Sequence, residues 1–372
     1  MVSHALCQLW PEKESAEMDT PAMPDGSPWW SREAHAAQRP RLVLRGRIVA
    51  ELRAWFAGQG FIEAEAGQLQ VSPGNEAHLS AFASDFIALS GERHRLYLHT
   101  SPEFAAKKLI AAGEERLVIF ARCFRNREAS RLHAPEFTLL EWYRAHAPLE
   151  ALIADCEALL RLAATVAGVE ALRYSGRSCD PFQPAARLSV CEALARHADV
   201  DLLSTIAADG DSTDREGLAA QARRAGIRVT ADDGWSDIFS KLLSETVEPH
   251  LGLGSPTALV DYPAPEAALA RRKPGDPRLS ERFELYACGV ELANAFGELT
   301  DPAEQRRRFL AEMDEKERIY GERYPLDEEL LAALPLMPPT AGIALGLDRL
   351  VMLAADAAHI DDVLWTPFPI RG

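Results

Sequence analysis

The sequence predicts an α+β fold on three observations. Strand-like segments lie far apart along the chain with helical stretches between them. The two clearest, Leu117 to Phe124 and Glu136 to Arg144, read as an antiparallel pair joined by a long polar loop. Of 372 residues, 47% are apolar and 26% charged, enough for a sizeable core.

Residues 1–40 read as a Pro-rich, partly flexible tail holding Pro11, Pro21, Pro24, Pro28 and Pro40. Trp10, Trp29 and Trp30 are unusual in such a tail and suggest that part of it docks on the body. Order is expected from near Arg45, where Ile48, Val49, Leu52 and Phe56 recur at helical spacing before Gly58 and Gly60. Phe61 to Glu65 and Arg95 to His99 read as strands. Ser101 to Ala112 reads as a helix capped by Ser101, with Pro102 in its first turn. Ala147 to Val166 is a long amphipathic helix, and Trp235 to Val247 is the clearest helix of a loop-rich stretch. Thr257 to Tyr262, Arg282 to Ala287 and Val290 to Ala295 read as strands. Pro302 to Tyr320 reads as a helix with a charged exterior. The strand Gly342 to Leu345 runs straight into the helix Leu347 to Ala355. Residues 41–372 are expected to form one catalytic domain.

Charge and cysteine content exclude several classes. With 56 acidic and 40 basic residues the formal charge is −16, which argues against a nucleic-acid groove over the whole surface. No stretch approaches the roughly 20 apolar residues of a membrane span; Asp348 and Arg349 interrupt the best candidate, and no secretory leader is visible. Six scattered cysteines without a CxxC pair argue against a zinc cage or disulfide framework and for a reducing, cytoplasmic setting.

Four segments carry chemistry. Arg122 to Tyr143 crowds four arginines and a histidine into a loop. It continues into a strand with Phe137, Leu139, Glu141 and Tyr143 on one face. A base could stack on Phe137 under an arginine, Glu141 and Tyr143 could hold an ammonium, and the arginines could fork onto phosphate. A solvated arginine-rich hairpin is the plainer explanation. In Gly342 to Met352, glycines at 342 and 346 permit close approach of a ligand, and Arg349 sits near a helix N-terminus. A packed strand–helix junction with an Asp348–Arg349 surface pair is the more common explanation of such a segment. In Arg282 to Glu298, a turn at Gly289 would set Glu284 and Glu291 on neighbouring strands, able to share Mg²⁺ or merely exposed. Glu103, opening the helix after Ser101, is a dipole partner or a ligand for an amine.

Together these segments resemble the catalytic core of class II lysyl-tRNA synthetases. Arg-Asn, His-x-Pro-Glu-Phe-Thr and Glu-Trp-Tyr look like the second class II signature. Ala-Leu-Gly-Leu-Asp-Arg looks like the third, and Glu-Leu-Ala-Asn-Ala-Phe-Gly-Glu like the lysine-type pocket. The similarity spans roughly Arg45 to Pro369. Only about 45 residues precede it, too few for a five-stranded anticodon-binding barrel. Such cores characterise the elongation factor P lysine aminoacylases, or EF-P–(R)-β-lysine ligases. Ser101-Pro-Glu, where synthetases show Ala-Pro-Glu, and Ala344, where they show glycine, favour that family.

The resemblance implies a class II core with an antiparallel sheet flanked by helices. It implies a ligase that uses ATP and Mg²⁺ to activate lysine or (R)-β-lysine as an adenylate and transfers it to a lysine of elongation factor P. Arg125 and Arg349 would be catalytic. ATP would meet Arg125, Asn126, Arg127, His133, Phe137, Glu291, Leu292, Gly346 and Arg349. The amino acid would meet Ser101, Pro102, Glu103, Glu141, Tyr143, Asn294, Glu298 and Ala344, with Glu298 and Tyr143 near its side-chain amine. Glu284 and Glu291 would hold the metal. A homodimer is implied, without membrane or tRNA binding. Three positions depart from the family pattern: Arg127 replaces a glutamate that recognises the adenine amine, Ala134 a frequent asparagine, and Gly67 a proline at the dimer interface. The competing expectations are a paralogue acting on tRNA or a small molecule, and a non-catalytic amino-acid sensor.

Overall fold

The computed structural model describes residues 28–369. The expectations for the first 27 residues, Trp10 among them, lie outside the described residues. The first element is helix α1 (Arg32–Gly58), which starts well before Arg45 and carries Pro40 inside it. Ser31 caps it by accepting from Ala34 N at 3.1 Å. Residues 32–40, expected to belong to the tail, are therefore part of this helix. Long-range contacts hold this early turn: Gln38 Nε2 donates to the carbonyls of Asp361 (2.7 Å) and Leu364 (3.2 Å), and Ala34 and Leu42 are buried.

Short strands β1 (Ile62–Glu63) and β2 (Leu69–Gln70) precede β3 (Ala83–Ile87) and β4 (Arg93–Leu98). Helix α2 (Glu103–Ala111) follows, then β5 (Arg116–Phe124), β6 (Glu136–Ala145) and α3 (Glu150–Ala167). After the hairpin β7 (Leu172–Tyr174) and β8 (Arg177–Cys179) come β9 (Ala186–Ser189), α4 (Val190–Ala198), α5 (Arg215–Arg224) and α6 (Trp235–Leu242). The chain ends with β10 (Thr257–Val260), β11 (Arg282–Ala287), β12 (Val290–Gly297), α7 (Pro302–Tyr320), α8 (Glu328–Ala333), β13 (Thr340–Gly346) and α9 (Leu347–Ala354). The helix expected over Trp235 to Val247 continues beyond α6 as a π turn. Helix α2 begins at Glu103 rather than Ser101, although the Ser101 hydroxyl still accepts from Glu103 N at 3.0 Å.

One eight-stranded sheet dominates, in the order β1-β5-β6-β13-β12-β11-β10-β9. Its centre is antiparallel, as the sequence predicts, while both edge pairs, β1 with β5 and β9 with β10, are parallel. The strands β2, β4 and β3 form a separate small sheet. One face of the main sheet buries α1, α3 and α9 in a core built on Leu52, Phe56, Trp142, Leu160 and Val351. The other face carries a second core with α2 and α8 (Phe104, Leu139, Tyr143, Phe309, Leu334) and the candidate site. The register explains how the strands compose that site. Glu141, Ala344, Asn294 and Glu284 stand side by side across β6, β13, β12 and β11. Tyr143, Gly342, Phe296 and Arg282 form the adjacent row of the same face. No described helix is long and apolar enough to cross a membrane, and five described cysteines are free thiols.

Candidate active site

The site is a cavity of about 240 Å³ over the middle of the sheet. Thirteen of the residues singled out from sequence line it: Arg125, Arg127, His133, Phe137, Glu291, Leu292, Gly346 and Arg349 toward one end, and Ser101, Glu103, Glu141, Asn294 and Ala344 toward the other. Arg125 and Arg349 therefore face one space.

Each arginine is held by specific partners. Arg125 stands with its guanidinium 5.2 Å from the centre of the half-buried Phe137 ring, and its Nε donates to Thr100 O at 3.3 Å. Arg349 Nη1 donates to Glu291 O at 2.7 Å and lies 3.6 Å from the Glu291 carboxylate. Arg349 Nη2 donates to His133 Nε2 at 2.6 Å, so His133 Nδ1 carries the proton and faces Ser130 Oγ at 2.7 Å. Burial, then Arg349 and Arg125, push the imidazole well below its ordinary pKa and keep it neutral. Both guanidinium charges are felt at that one ring.

Asp348 does not pair with Arg349. It pairs with Arg45 of α1, accepts from Thr138 N at 2.8 Å, and Arg45 also donates to Thr138 Oγ1 at 3.0 Å. This buried network fixes the β13–α9 junction to β6, which leaves Arg349 free to face the cavity.

The other end is rich in carboxylates. Glu141 accepts from Ser101 Oγ at 2.6 Å and from Tyr143 Oη at 2.9 Å. Burial, reinforced by Glu103, pushes its carboxyl up to about 8 despite those hydroxyls and Arg125. Tyr143 is buried behind Glu141 and does not line the cavity. Glu298 also lies one layer behind. Its Oε2 is 2.7 Å from Lys107 Nζ, which is 2.6 Å from Glu103 Oε1. Gly342 is required here, because a Cβ would run into Glu298 Oε1 and the Tyr143 ring. Glu298 and Tyr143, expected near the side-chain amine, stand behind the cavity wall, Tyr143 against Glu141 and Glu298 against Lys107. Pro102 and Asn126 do not line the cavity: Pro102 is buried in the α2 turn, and Asn126 Oδ1 accepts from Arg127 N at 2.9 Å.

Glu284 faces the same side as Glu291 but lines an adjoining cavity of about 20 Å³ with Glu248, Glu266 and Tyr262. It pairs with Arg282 and accepts from Tyr286 Oη at 2.6 Å. Burial alone would raise its pKa, and Arg282 reverses that and holds it low. Glu291 is raised by burial and by Glu284, with Arg349 opposing. Among the described residues no three His, Cys, Asp or Glu side chains converge as a metal cage. Two neighbouring carboxylates on one face suit an ion that brings phosphate oxygens and water with it, as Mg²⁺ does.

Sequence reasoning missed several contributors. Glu76, His78 and Leu79 reach the cavity from the loop before β3, and Tyr320 joins its rim. Lys316 pins that loop by donating to Ala77 O (3.1 Å) and Leu79 O (2.8 Å), and Glu312 accepts from Ala77 N at 2.8 Å. Arg127, in a left-handed conformation (φ 67°), turns to the Tyr320 ring and lies 3.5 Å from Glu322. Lys107 was also missed, since Lys107-Lys108 reads as a solvated pair.

Two guanidiniums, an aromatic face and an acidic slot over a six-stranded antiparallel centre define an amino-acid-activating synthetase core. The family model of the class II tRNA synthetases (D, K and N) matches residues 31–371. A relative from Klebsiella pneumoniae (strain 342), named elongation factor P–(R)-β-lysine ligase, is 38% identical over 88% of this chain and 95% of its own. Relatives of the same name from Proteus mirabilis and Haemophilus influenzae (strain PittGG) are each 36% identical, over 91% and 88% of this chain and 97% and 95% of theirs. The chain belongs to the class II tRNA synthetase family and, within it, to the elongation factor P–(R)-β-lysine ligases.

Proposed function

We propose that this protein activates (R)-β-lysine or lysine with ATP and transfers the aminoacyl group to a lysine side chain of elongation factor P. The observation that carries this reading is that Arg125 and Arg349 open onto one cavity that Glu103 and Glu141 also line. A triphosphate and a dibasic amino acid are the substrates that such a charge division suits.

In the first half-reaction the substrate carboxylate attacks the α-phosphorus of ATP and pyrophosphate leaves. In the second, the acceptor amine attacks the acyl carbon, AMP leaves with the bonding electrons, and the amine gives up a proton. No covalent enzyme intermediate is needed, so the residues act by holding reactants and neutralising charge. Arg125, stacked beside Phe137, would contact the α-phosphate and the carboxylate, with Phe137 against the adenine. Arg349 would hold the terminal phosphates, its direction fixed by the neutral His133 and the Glu291 carbonyl. Gly346 would leave room for the nucleotide beside Leu292, and Asn294 would meet the amino acid. Glu103 and Glu141 would receive the ammonium groups, backed by Ser101, Tyr143 and Glu298. Glu291 and Glu284 would hold Mg²⁺, which supplies Lewis-acid neutralisation of phosphate charge. Positioning of this kind is worth about 7–11 kcal/mol, and a preorganised donor such as Arg125 roughly 3–4 kcal/mol.

A homodimer in the cytoplasm is part of the proposal. Ile62, Leu69, Val71, Phe86, Ile87 and Leu89 are more than half exposed on β1 and the small sheet, an apolar surface that a second copy would cover. A tRNA-charging assay run beside an acceptor-protein assay decides between this activity and a tRNA-directed one. Charged tRNA with unmodified elongation factor P would reject the proposal.

A further inference from the structure

Lys107 is a buried cation that the reaction above does not use. It lies on α2, one turn after Glu103, and is wholly enclosed. Its Nζ touches two carboxylates, Glu103 Oε1 at 2.6 Å and Glu298 Oε2 at 2.7 Å. Glu103 is on the cavity wall and Glu298 is in the layer behind, at the end of β12. An ammonium wedged between two carboxylates in a dry site is costly to bury unless all three charges hold together. Packing at a buried position needs no charge, and an apolar side chain would serve it.

The charge count gives the lysine a purpose. Glu103, Glu298 and Lys107 together leave one net negative charge. Without Lys107, two carboxylates within reach of each other would compete to stay ionised, and one would take up a proton. The charge of Glu103 on the wall and of Glu298 behind it is therefore favoured by the protein's own ammonium before any substrate arrives.

We propose that Lys107 is the positioning residue of the amino-acid slot: its ammonium ties Glu103 to Glu298, keeps both ionised, and presents a single uncompensated negative charge to the incoming substrate amine. This rests on the functional reading above for the identity of the ligand, and on the ion-pair geometry alone for the clamp. Burial pushes Glu298 up to about 7, and Lys107 is the largest influence pulling it back down. Glu103 is raised by burial and likewise restrained by Lys107. The other charged or titratable groups facing this cluster are Arg271, which lowers Glu298, and Glu76, Glu141 and Tyr143.

The test has two parts, both on the full chain carrying ¹³C-carboxyl-labelled glutamate. In the ligand-free protein the Glu298 signal, assigned with Glu298→Gln, is titrated in wild type and in Lys107→Met. The expected midpoint in the variant is higher by about one unit or more. In Lys107→Ala, added ethylammonium should return it toward the wild-type value. An unmoved midpoint in a variant with native circular dichroism overturns the clamp, whatever the protein binds. In the second part, KM for lysine and β-lysine is followed between pH 6 and 9. In a Glu141→Gln background, which removes the Glu141 titration, the pH below which it rises should move up with the NMR midpoint, while KM for ATP changes less than about twofold. A parallel loss of both substrates with no pH displacement assigns Lys107 a structural role and rejects the proposal. A wild type that binds no lysine isomer defeats the functional reading, while the ligand-free titration still decides the clamp. If both variants fail to fold, the same titration is made on Lys107→Gln, which keeps a polar tip.

Discussion

Glu141 should lose a proton when the amino acid binds, and Glu141→Gln should abolish that event. With a midpoint at about 8 in the empty cavity, about three quarters of Glu141 is protonated at pH 7.5. An ammonium beside it stabilises the ionised form. If the bound carboxyl returns to the ordinary range near 4, about 0.7 proton is released per amino acid bound. Glu298, with a midpoint at about 7, adds about 0.2 at the same pH. The sign for affinity follows. Ionising Glu141 costs about 0.8 kcal/mol at pH 7.5 and about 2 kcal/mol at pH 6.5, so affinity falls nearly tenfold over that unit and levels off above about pH 9. Calorimetry in two buffers of different ionisation enthalpy reads the release directly. Wild type should release about one proton, and Glu141→Gln only the remainder from Glu298. Zero release in wild type, or equal release in the variant, would refute the charge assignment of this slot.

Further consequences are testable on the same protein. Arg125→Ala should keep the fold and lower amino-acid-dependent ATP–pyrophosphate exchange by about 10²–10³-fold; near-normal exchange would remove Arg125 from the reaction. Glu298→Ala should weaken amino-acid affinity before ATP affinity, measured as separate KM values, because it supports the acidic slot from behind. Gly342→Ala should lower stability by about 1–3 kcal/mol and raise the amino-acid KM, since the new methyl displaces Glu298 and Tyr143; a denaturant midpoint equal to wild type would contradict the close packing.

Much of the site was legible because its residues lie on strands with clear alternation. Phe137, Glu141 and Tyr143 had to share a face, and Gly289 with the flanking β residues fixed the hairpin that carries Glu291 and Asn294. Asp301-Pro302 marked the start of α7 to the residue. Depth was harder to see. Alternation gives the side of the sheet but not the layer, so it did not show that Glu298 and Tyr143 stand behind the cavity wall. The pairing of Glu284 with Arg282, two residues earlier on the same face, was not foreseen. Lys107 and the loop holding Glu76 and His78 escaped because their partners are distant: Glu298 and Lys316 are contacts of the fold, not of the neighbourhood. Pro40 was read as a tail signal for the same reason, since the carbonyls that anchor Gln38 lie more than 320 residues away.

If one cavity activates a dibasic amino acid for transfer to a protein amine, elongation factor P must gain mass when incubated with this protein, ATP, Mg²⁺ and each lysine isomer in turn. Intact-mass spectrometry should show a shift of one lysyl or β-lysyl group, absent without ATP and absent with Arg125→Ala. An unshifted mass with every isomer, from a preparation that carries out ATP–pyrophosphate exchange, would contradict it.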